Sequence, residues 1–359
     1  MIRFGSLDYS QEDREAVTRL VSQDDPMLSI GKNVALFEEQ FARWLGVKYA
    51  VMVNSGTSAL ETALSAAKLC DLFYDKWAVT EEVVTTALTY PAVWNAVLNS
   101  GLKLKPVDVG DDFVVHGKQT LAVHLLGKTS QDFGIVEDAS EALGSVYQQR
   151  KLGSFALLGS FSFYVCHQLT TVEGGAVGIR DSEYAEALVS TCRSIRDNGR
   201  ACTCPICTLK LKGKCSKRLS SSNDRRWETV CTGHNFKPME IQAVLGLSKL
   251  KRLDQSIRRR HEIFQIYQQH FGTFNIEEGE WVVPLAYPVK VKNVGVALAR
   301  LEKLGIEARG MFPAYSSGYP NAYRASQSFV LLPSHQTLSD TDLDFIVETV
   351  RKCPIGKVQ

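Results

Sequence analysis

The chain has 359 residues, 45% of them apolar and 22% charged. This balance excludes a disordered or fibrous protein, and the length suits two packed units rather than one core. Lys and Arg total 41 against 39 Asp and Glu, a net charge of +2, which excludes a chain-wide polybasic surface and speaks against nucleic acid as a partner. No apolar run approaches a membrane span, and Met1 to Asp13 shows no basic stretch followed by an apolar one, so a cytoplasmic protein is expected.

In chain order, Val34, Phe37, Phe41 and Trp44/Leu45 recur at spacings of three and four and predict an amphipathic helix that ends at Gly46. Tyr49–Val53 reads as a buried strand. It breaks at Asn54-Ser55-Gly56-Thr57, and Ala59, Leu60, Ala63, Leu64 and Ala67 form the apolar face of a following helix. Further strand-like runs lie at Val83–Thr86, Leu102–Val109, Leu121–Leu126, Gly134–Glu137, Phe161–Tyr164 and Ala176–Ile179. The alternation with helical patterns predicts an α/β fold with a mostly parallel sheet covered on both faces. Two connections, Val109 to Leu121 and Leu126 to Ile135, are shorter than a helical crossover allows. From Pro238 a long basic helical pattern runs to about His270, followed by strand-like Trp281–Val289, a helix at Val294–Leu304 and a closing helix at Ser339–Lys352. This predicts a smaller α+β unit.

Residues 199–227 stand apart. They are poor in apolar residues and carry eight basic residues against the single acid Asp224, so they build no core of their own. Four of the chain's nine cysteines fall here within fourteen residues, as Cys202-x-Cys204-x2-Cys207-x7-Cys215. In a cytoplasmic chain such a set points to metal rather than disulfides. Zinc and an iron–sulfur cluster both accept four thiolates, and the Cys-x2-Cys pair leans towards zinc. The neighbouring basic residues Lys210, Lys212, Lys214, Lys217, Arg218, Arg225 and Arg226 suit either a solvated loop or the steering of an acidic partner. Cys70, Cys166, Cys192, Cys231 and Cys353 read as scattered thiols.

Three stretches carry chemistry. At Ser55-Gly56-Thr57 a strand gives way to a helix, and free amides at a helix start favour an anion; taken alone, the same residues make an ordinary helix cap. Glu137-Asp138 follows a short apolar strand and faces the edge where parallel sheets bind ligands. In Phe161-Ser162-Phe163-Tyr164-Val165-Cys166-His167, a strand runs into a polar turn that closes at Gly174-Gly175.

Together with Gly31 and its helix, Thr89-Tyr90, Gly233-His234-Asn235-Phe236 and Leu331-Leu332-Pro333, these stretches resemble the sugar aminotransferases of the DegT/DnrJ/StrS type. These are pyridoxal-phosphate (PLP) enzymes of fold type I that act on nucleotide-linked keto-sugars. The resemblance covers nearly the whole chain. It implies an aspartate-aminotransferase-like fold, with a large cofactor domain over residues 1–237, containing the cysteine-rich insertion 199–227, and a small domain over 238–359. It also implies that Gly56, Thr57 and Ser162 hold the cofactor phosphate and that Tyr90 stacks on its ring. Asp138 would pair with the ring nitrogen, which keeps the ring an electron sink. Asn235 would reach the neighbouring subunit's phosphate in a homodimer with shared active sites.

The departure is at His167, which stands where the family's aminotransferases have the lysine that forms the Schiff base. Imidazole makes no stable imine. His167 and Glu141, which replaces a glutamine, resemble a branch of the family, the 3-dehydratases of nucleotide-linked 4-keto-6-deoxy sugars. These use pyridoxamine phosphate (PMP), and the resemblance implies His167 as the base. Members of that branch that work with a reductase hold a 2Fe–2S cluster on a comparable insertion, in the pattern Cys-x-Cys-x7-Cys. Here the pattern is split across Cys202, Cys204, Cys207 and Cys215, and the first ligand's position is Ser140. The resemblance shifts the expectation from zinc towards iron–sulfur and a reductase partner. Two other readings are an aminotransferase that works with free PMP and a displaced base, and a silent relative whose zinc knuckle binds a partner.

Overall fold

The computed structural model describes residues 1–24, 26–71, 81–207, 213–216, 218–219 and 224–352. Helices α1 (Gln11–Val21) and α2 (Lys32–Leu45) lead into strand β1 (Tyr49–Val53) and helix α3 (Gly56–Leu69). Then come β2 (Glu82–Thr86), α4 (Ala92–Asn99), β3 (Lys103–Val107), β4 (Leu121–Val123) and β5 (Val136–Asp138). The short pair β6 (Val146–Tyr147) and β7 (Arg150–Lys151) precedes β8 (Leu158–Ser162), β9 (Gly175–Ile179) and α5 (Ala185–Arg196).

The central sheet runs β1-β9-β8-β5-β4. The β4–β5 and β5–β8 pairs are parallel, and β9 is antiparallel to both of its neighbours. The parallel pair β2–β3 lies alongside, tied on where the Thr120 amide donates to the Val84 carbonyl at 2.9 Å. The two short connections carry no α-helix. That from β4 to β5 holds only a 3-10 turn, Leu125–Gly127, in which Leu126 takes a left-handed φ of 51°. This turn is why the strand expected to run to Leu126 stops at Val123.

Residue type explains how α2 seats. Val34, Phe37, Phe41 and Leu45 are buried, and the helix stops at Gly46 with φ 85°. Phe41 meets Phe161 edge-on at 5.2 Å and Phe163 at 5.5 Å. Each such pair contributes about 1 kcal/mol beyond its burial. Side chains alternate along a strand, so burying both phenylalanines under α2 turns Ser162, between them, to the opposite face.

After residue 238 the long helical pattern divides into α6 (Glu240–Leu250), which packs on α1 and α2, and α7 (Leu253–Phe271). The expected strand Trp281–Val289 also divides. Its start, β10 (Glu280–Trp281), pairs with β6, and β11 (Ala286–Lys290) joins a second sheet. That sheet, β11-β13-β12, contains β12 (Arg309–Gly310) and β13 (Phe329–Pro333). Helices α8 (Val294–Lys303), α9 (Pro320–Ser328) and α10 (Asp340–Lys352) complete this part. Its core extends to Phe4 and to Leu125, Leu126 and Cys166 of the first sheet's connections, so both halves share one apolar seam beneath the His167 turn. Among the described residues no helix is long and apolar enough to cross a membrane.

Candidate active site

The carboxyl ends of β1, β5 and β8 lie on one edge of the sheet, because Val53 and Ser162 both register with Gly175 and Asp138 registers with Ser160. A cavity of about 480 Å³ opens there, lined by Gly56, Thr57, Tyr90, Asp138, Glu141, Ser162 and His167 among others. The C-terminal part adds Leu285, Arg309 and Phe312 to its wall.

One end of the cavity is a helix N-terminus. Ser55 caps α3, its Oγ accepting from the Ser58 amide at 3.1 Å, which leaves the amides of Gly56 and Thr57 without a helical acceptor. A Cβ on Gly56 would come within 2.5 Å of Ser162 Cβ, and one on Gly175 within 2.3 Å of the Ser55 carbonyl oxygen. Both glycines are required by close approach, and the free amides of Gly56 and Thr57, beside Ser162 on the cavity wall, form a cradle for a small anion. Tyr90 stands at the mouth, 59% exposed, edge-on to Phe312 at 6.4 Å.

The floor is acidic. Asp138 is buried, and its Oδ1 accepts from the Ser140 amide at 3.0 Å and the Ser160 hydroxyl at 3.2 Å. Burial raises its pKa, and those hydrogen bonds pull it part of the way back. A buried carboxylate hydrogen-bonded only to neutral groups suits a cationic ring nitrogen. Glu141 is buried too and accepts from the Leu126 amide at 2.8 Å. Burial, with the nearby Asp138 charge adding, pushes it up to about 8.

His167 lies on the wall between these parts. It is buried, and its Nδ1 has no hydrogen-bond partner. Burial first, then the neighbouring Arg260 guanidinium, lowers its pKa to about 3, so the ring is neutral at working pH. Among the described residues no lysine lines the cavity. An anion cradle, a buried carboxylate and an imidazole with a free Nδ1 fit a pyridoxamine phosphate molecule without a covalent anchor.

Glu137, the neighbour of Asp138, points away from the cavity. It accepts from the amides of Gly153 and Ala156 at 2.8 and 2.5 Å and bonds His124 at 2.9 Å. His124 itself lines the cavity. Its Nδ1 accepts from the Ser130 amide at 3.1 Å, which places its proton on Nε2, towards Glu137. His124 was not singled out from the sequence. Its one signal was its position at the end of a parallel strand. Arg309 gave none, because it reaches the cavity from a distant segment.

Asn235 is exposed and does not line its own chain's cavity. Cys202 and Cys204 are exposed and Cys207 and Cys215 half-buried. Among the described residues no group of three or more His, Cys, Asp or Glu side chains stands together to hold a metal. Lys210, Lys212 and Lys217 lie outside the described residues. Arg218 and Arg226 both pair with Asp224, at 3.0 and 2.5 Å. Of the remaining thiols, Cys166 and Cys192 are buried and Cys70 and Cys231 half-buried; Cys353 lies outside the described residues.

Comparison with known proteins agrees with this geometry. The chain is 31% identical over 298 residues, 76% of this chain and 70% of the relative, to the UDP-4-amino-4,6-dideoxy-N-acetyl-beta-L-altrosamine transaminase of Campylobacter jejuni. It is 26% identical over 298 residues, 76% and 73% of the two chains, to the GDP-4-keto-6-deoxy-D-mannose 3-dehydratase of Yersinia pseudotuberculosis. Among solved structures, PseC of Helicobacter pylori, an aminotransferase of pseudaminic acid biosynthesis, superposes with a TM-score of 0.76 at 25% identity over 98% of both chains. The family model for DegT/DnrJ/EryC1/StrS aminotransferases matches residues 8–351. The chain belongs to the DegT/DnrJ/EryC1/StrS family of PLP-dependent sugar aminotransferases, with their fold type I architecture.

Proposed function

We propose that this chain is a PMP-dependent 3-dehydratase that removes the C3 hydroxyl of a nucleotide-linked 4-keto-6-deoxy sugar, with His167 acting where relatives use lysine. The observation that carries the reading is the unpartnered Nδ1 of a buried, neutral His167 on a cavity wall without a described lysine.

When bound, PMP supplies the amine that takes the sugar's ketone and a conjugated ring that accepts electrons. Gly56, Thr57 and Ser162 would hold its phosphate, Tyr90 the ring face and Asp138 the ring nitrogen. Glu141, protonated at neutral pH, would hydrogen-bond the cofactor as a donor. His167 Nδ1 accepts a proton from the reacting carbon. It can return that proton to the departing hydroxyl, so that water leaves. Imidazole also cannot recapture the cofactor, which favours dehydration over amine transfer. Asn235, exposed and outside its own cavity, is assigned to the partner subunit's phosphate in a homodimer.

The test is to supply PMP and a nucleotide-linked 4-keto-6-deoxy sugar and identify the product. Loss of the C3 hydroxyl is expected, and borohydride should leave the holoprotein unlabelled. Cofactor fixed to a lysine would refute the reading. The Campylobacter and Helicobacter relatives, both aminotransferases by name, favour the second reading, a nucleotide-sugar aminotransferase, for which the product gains a 4-amino group. The iron–sulfur centre and its reductase rest on the resemblance to one branch of the family, with a cysteine spacing that matches it only in part, and are not part of the proposed mechanism. Iron, zinc and sulfide analysis of anaerobically purified protein checks them directly.

A further inference from the structure

The turn that carries His167, from Tyr164 to Leu169, has no regular secondary structure, so the direction of its imidazole must be fixed from outside. Arg260 of α7 is fully buried behind it. Its Nη2 donates to the carbonyl oxygens of Cys166 at 3.0 Å and His167 at 3.1 Å. Its Nη1 reaches the carbonyls of Pro284 and Leu285 at 3.5 Å each, and its Nε donates to Gln336 Oε1 at 2.8 Å. All these acceptors are neutral. The nearest opposite charge is relayed, with Gln336 Nε2 donating to Asp8 Oδ2 at 3.0 Å. The guanidinium therefore keeps its charge in a dry setting, against the backbone of the candidate base.

We propose that Arg260 is a positioning residue for His167: it fixes the main chain that bears the imidazole and places a buried cation behind it. This deepens the reading of His167 as the base and rests on it.

A nearby cation disfavours a second positive charge. The ring's hydrogen bond to the Ser140 backbone acts the other way, and the charged groups around it offer little opposition. Asp138 and Glu141 from the end of β5, Cys166 from the turn itself and Glu173 just beyond it are all biased by burial towards their uncharged forms. Arg309 across the cavity adds a second, half-exposed cation, and His124 is committed to Ser130 and Glu137. The aromatic hydroxyls of Tyr90 and Tyr164 sit in exposed residues. His335, on the far side of Arg260, is lowered to about 4 by burial and then by the same guanidinium.

The test is a ring titration of His167 by NMR in histidine-labelled holoprotein. In Arg260→Gln the midpoint should rise by about 1 pH unit, since burial, the larger cause, remains. In Arg260→Lys it should stay low, because the charge remains, while kcat falls about 10-fold or more, because one ammonium cannot fork across both carbonyls. Gln336→Glu combined with Asp8→Asn guards against an Arg260→Gln protein that fails to fold. The pair sets a carboxylate on Nε, gives it an amide donor in place of the Asp8 charge, leaves the two carbonyl bonds in place and should also raise the midpoint. A midpoint unmoved in Arg260→Gln or, where that protein does not fold, in the Asp8→Asn, Gln336→Glu protein overturns the proposal, as does a fully active Arg260→Lys. The titration is read without turnover, so a wrong dehydratase assignment would show as a missing product with the shift intact.

Discussion

Gly56 and Ser162 touch across the start of α3: a methyl group on Gly56 would lie 2.5 Å from Ser162 Cβ and 2.8 Å from its Oγ. Helix start and strand end are therefore closed on each other, and any side chain at 56 fills the anion cradle. Gly56→Ala should cost about 1 to 3 kcal/mol of stability through overpacking and weaken PMP binding at least about 10-fold. Adding Ser162→Gly should restore the melting temperature by relieving the contact but leave binding weak, because the hydroxyl is lost. Calorimetry and a fluorescence titration with PMP separate the two effects. Unchanged PMP affinity in Gly56→Ala would contradict the cradle.

Glu141 gives stability a pH dependence whose sign follows from its burial. A glutamate carboxyl ordinarily titrates at 4.5, and here it is pushed up to about 8. Between those values the folded chain holds a proton that the unfolded chain has lost. The contribution to stability is complete below about 4.5 and is lost as pH rises through 8. Glu141→Gln keeps an oxygen for the Leu126 amide and removes the titration. Relative to the parent, it should gain stability from pH 5 to pH 8.5, at most about 1.4 kcal/mol per pH unit. Parallel urea curves at both pH values would show the carboxyl to be already ionised.

Lys128 and Glu280 form a buried pair at 2.5 Å between the β4–β5 connection and β10. Glu280 also accepts from the amides of Thr129 at 2.8 Å and Glu277 at 3.0 Å. Glu280→Ala strands a buried ammonium and should cost roughly 3 to 5 kcal/mol. Lys128→Met combined with Glu280→Leu should recover much of that loss. A double-mutant cycle by urea unfolding measures the coupling, and a coupling near zero would mean that water already serves the pair.

How far the sequence could be read depended on whether a position's partner was near in the chain. The burial of α2, the Ser55 cap and the alternation of Phe161, Ser162 and Phe163 follow from local spacing, and the structure places them as that spacing predicts. The places of Tyr90, Asp138, Glu141 and His167 on one cavity wall came from the resemblance. Arg260 and Arg309 escaped notice, because each acts over a long sequence separation and carries no motif. Strand ends moved for a physical reason, since Leu126 needs a left-handed backbone that periodicity does not register. The cysteine spacing, read as four ligands, is not met by an assembled set among the described residues.

Asp138 offers a test in which the empty and loaded proteins respond in opposite directions. Its carboxyl is buried, raised in pKa by that burial, and hydrogen-bonded through Oδ1 to Ser140 and Ser160. Asn at this position keeps an oxygen for both donors and removes a costly charge, so the apoprotein should be as stable as the parent or up to about 1 kcal/mol more stable. With cofactor the sign reverses. The variant lacks the anion that keeps the ring nitrogen protonated, so PMP affinity should fall about 10-fold or more and kcat about 100-fold or more. Comparing the apo and PMP-loaded melting temperatures of Asp138→Asn with those of the parent reads both signs at once. A variant that is destabilised when empty and binds PMP normally would make Asp138 a structural carboxylate and leave the ring nitrogen without its partner.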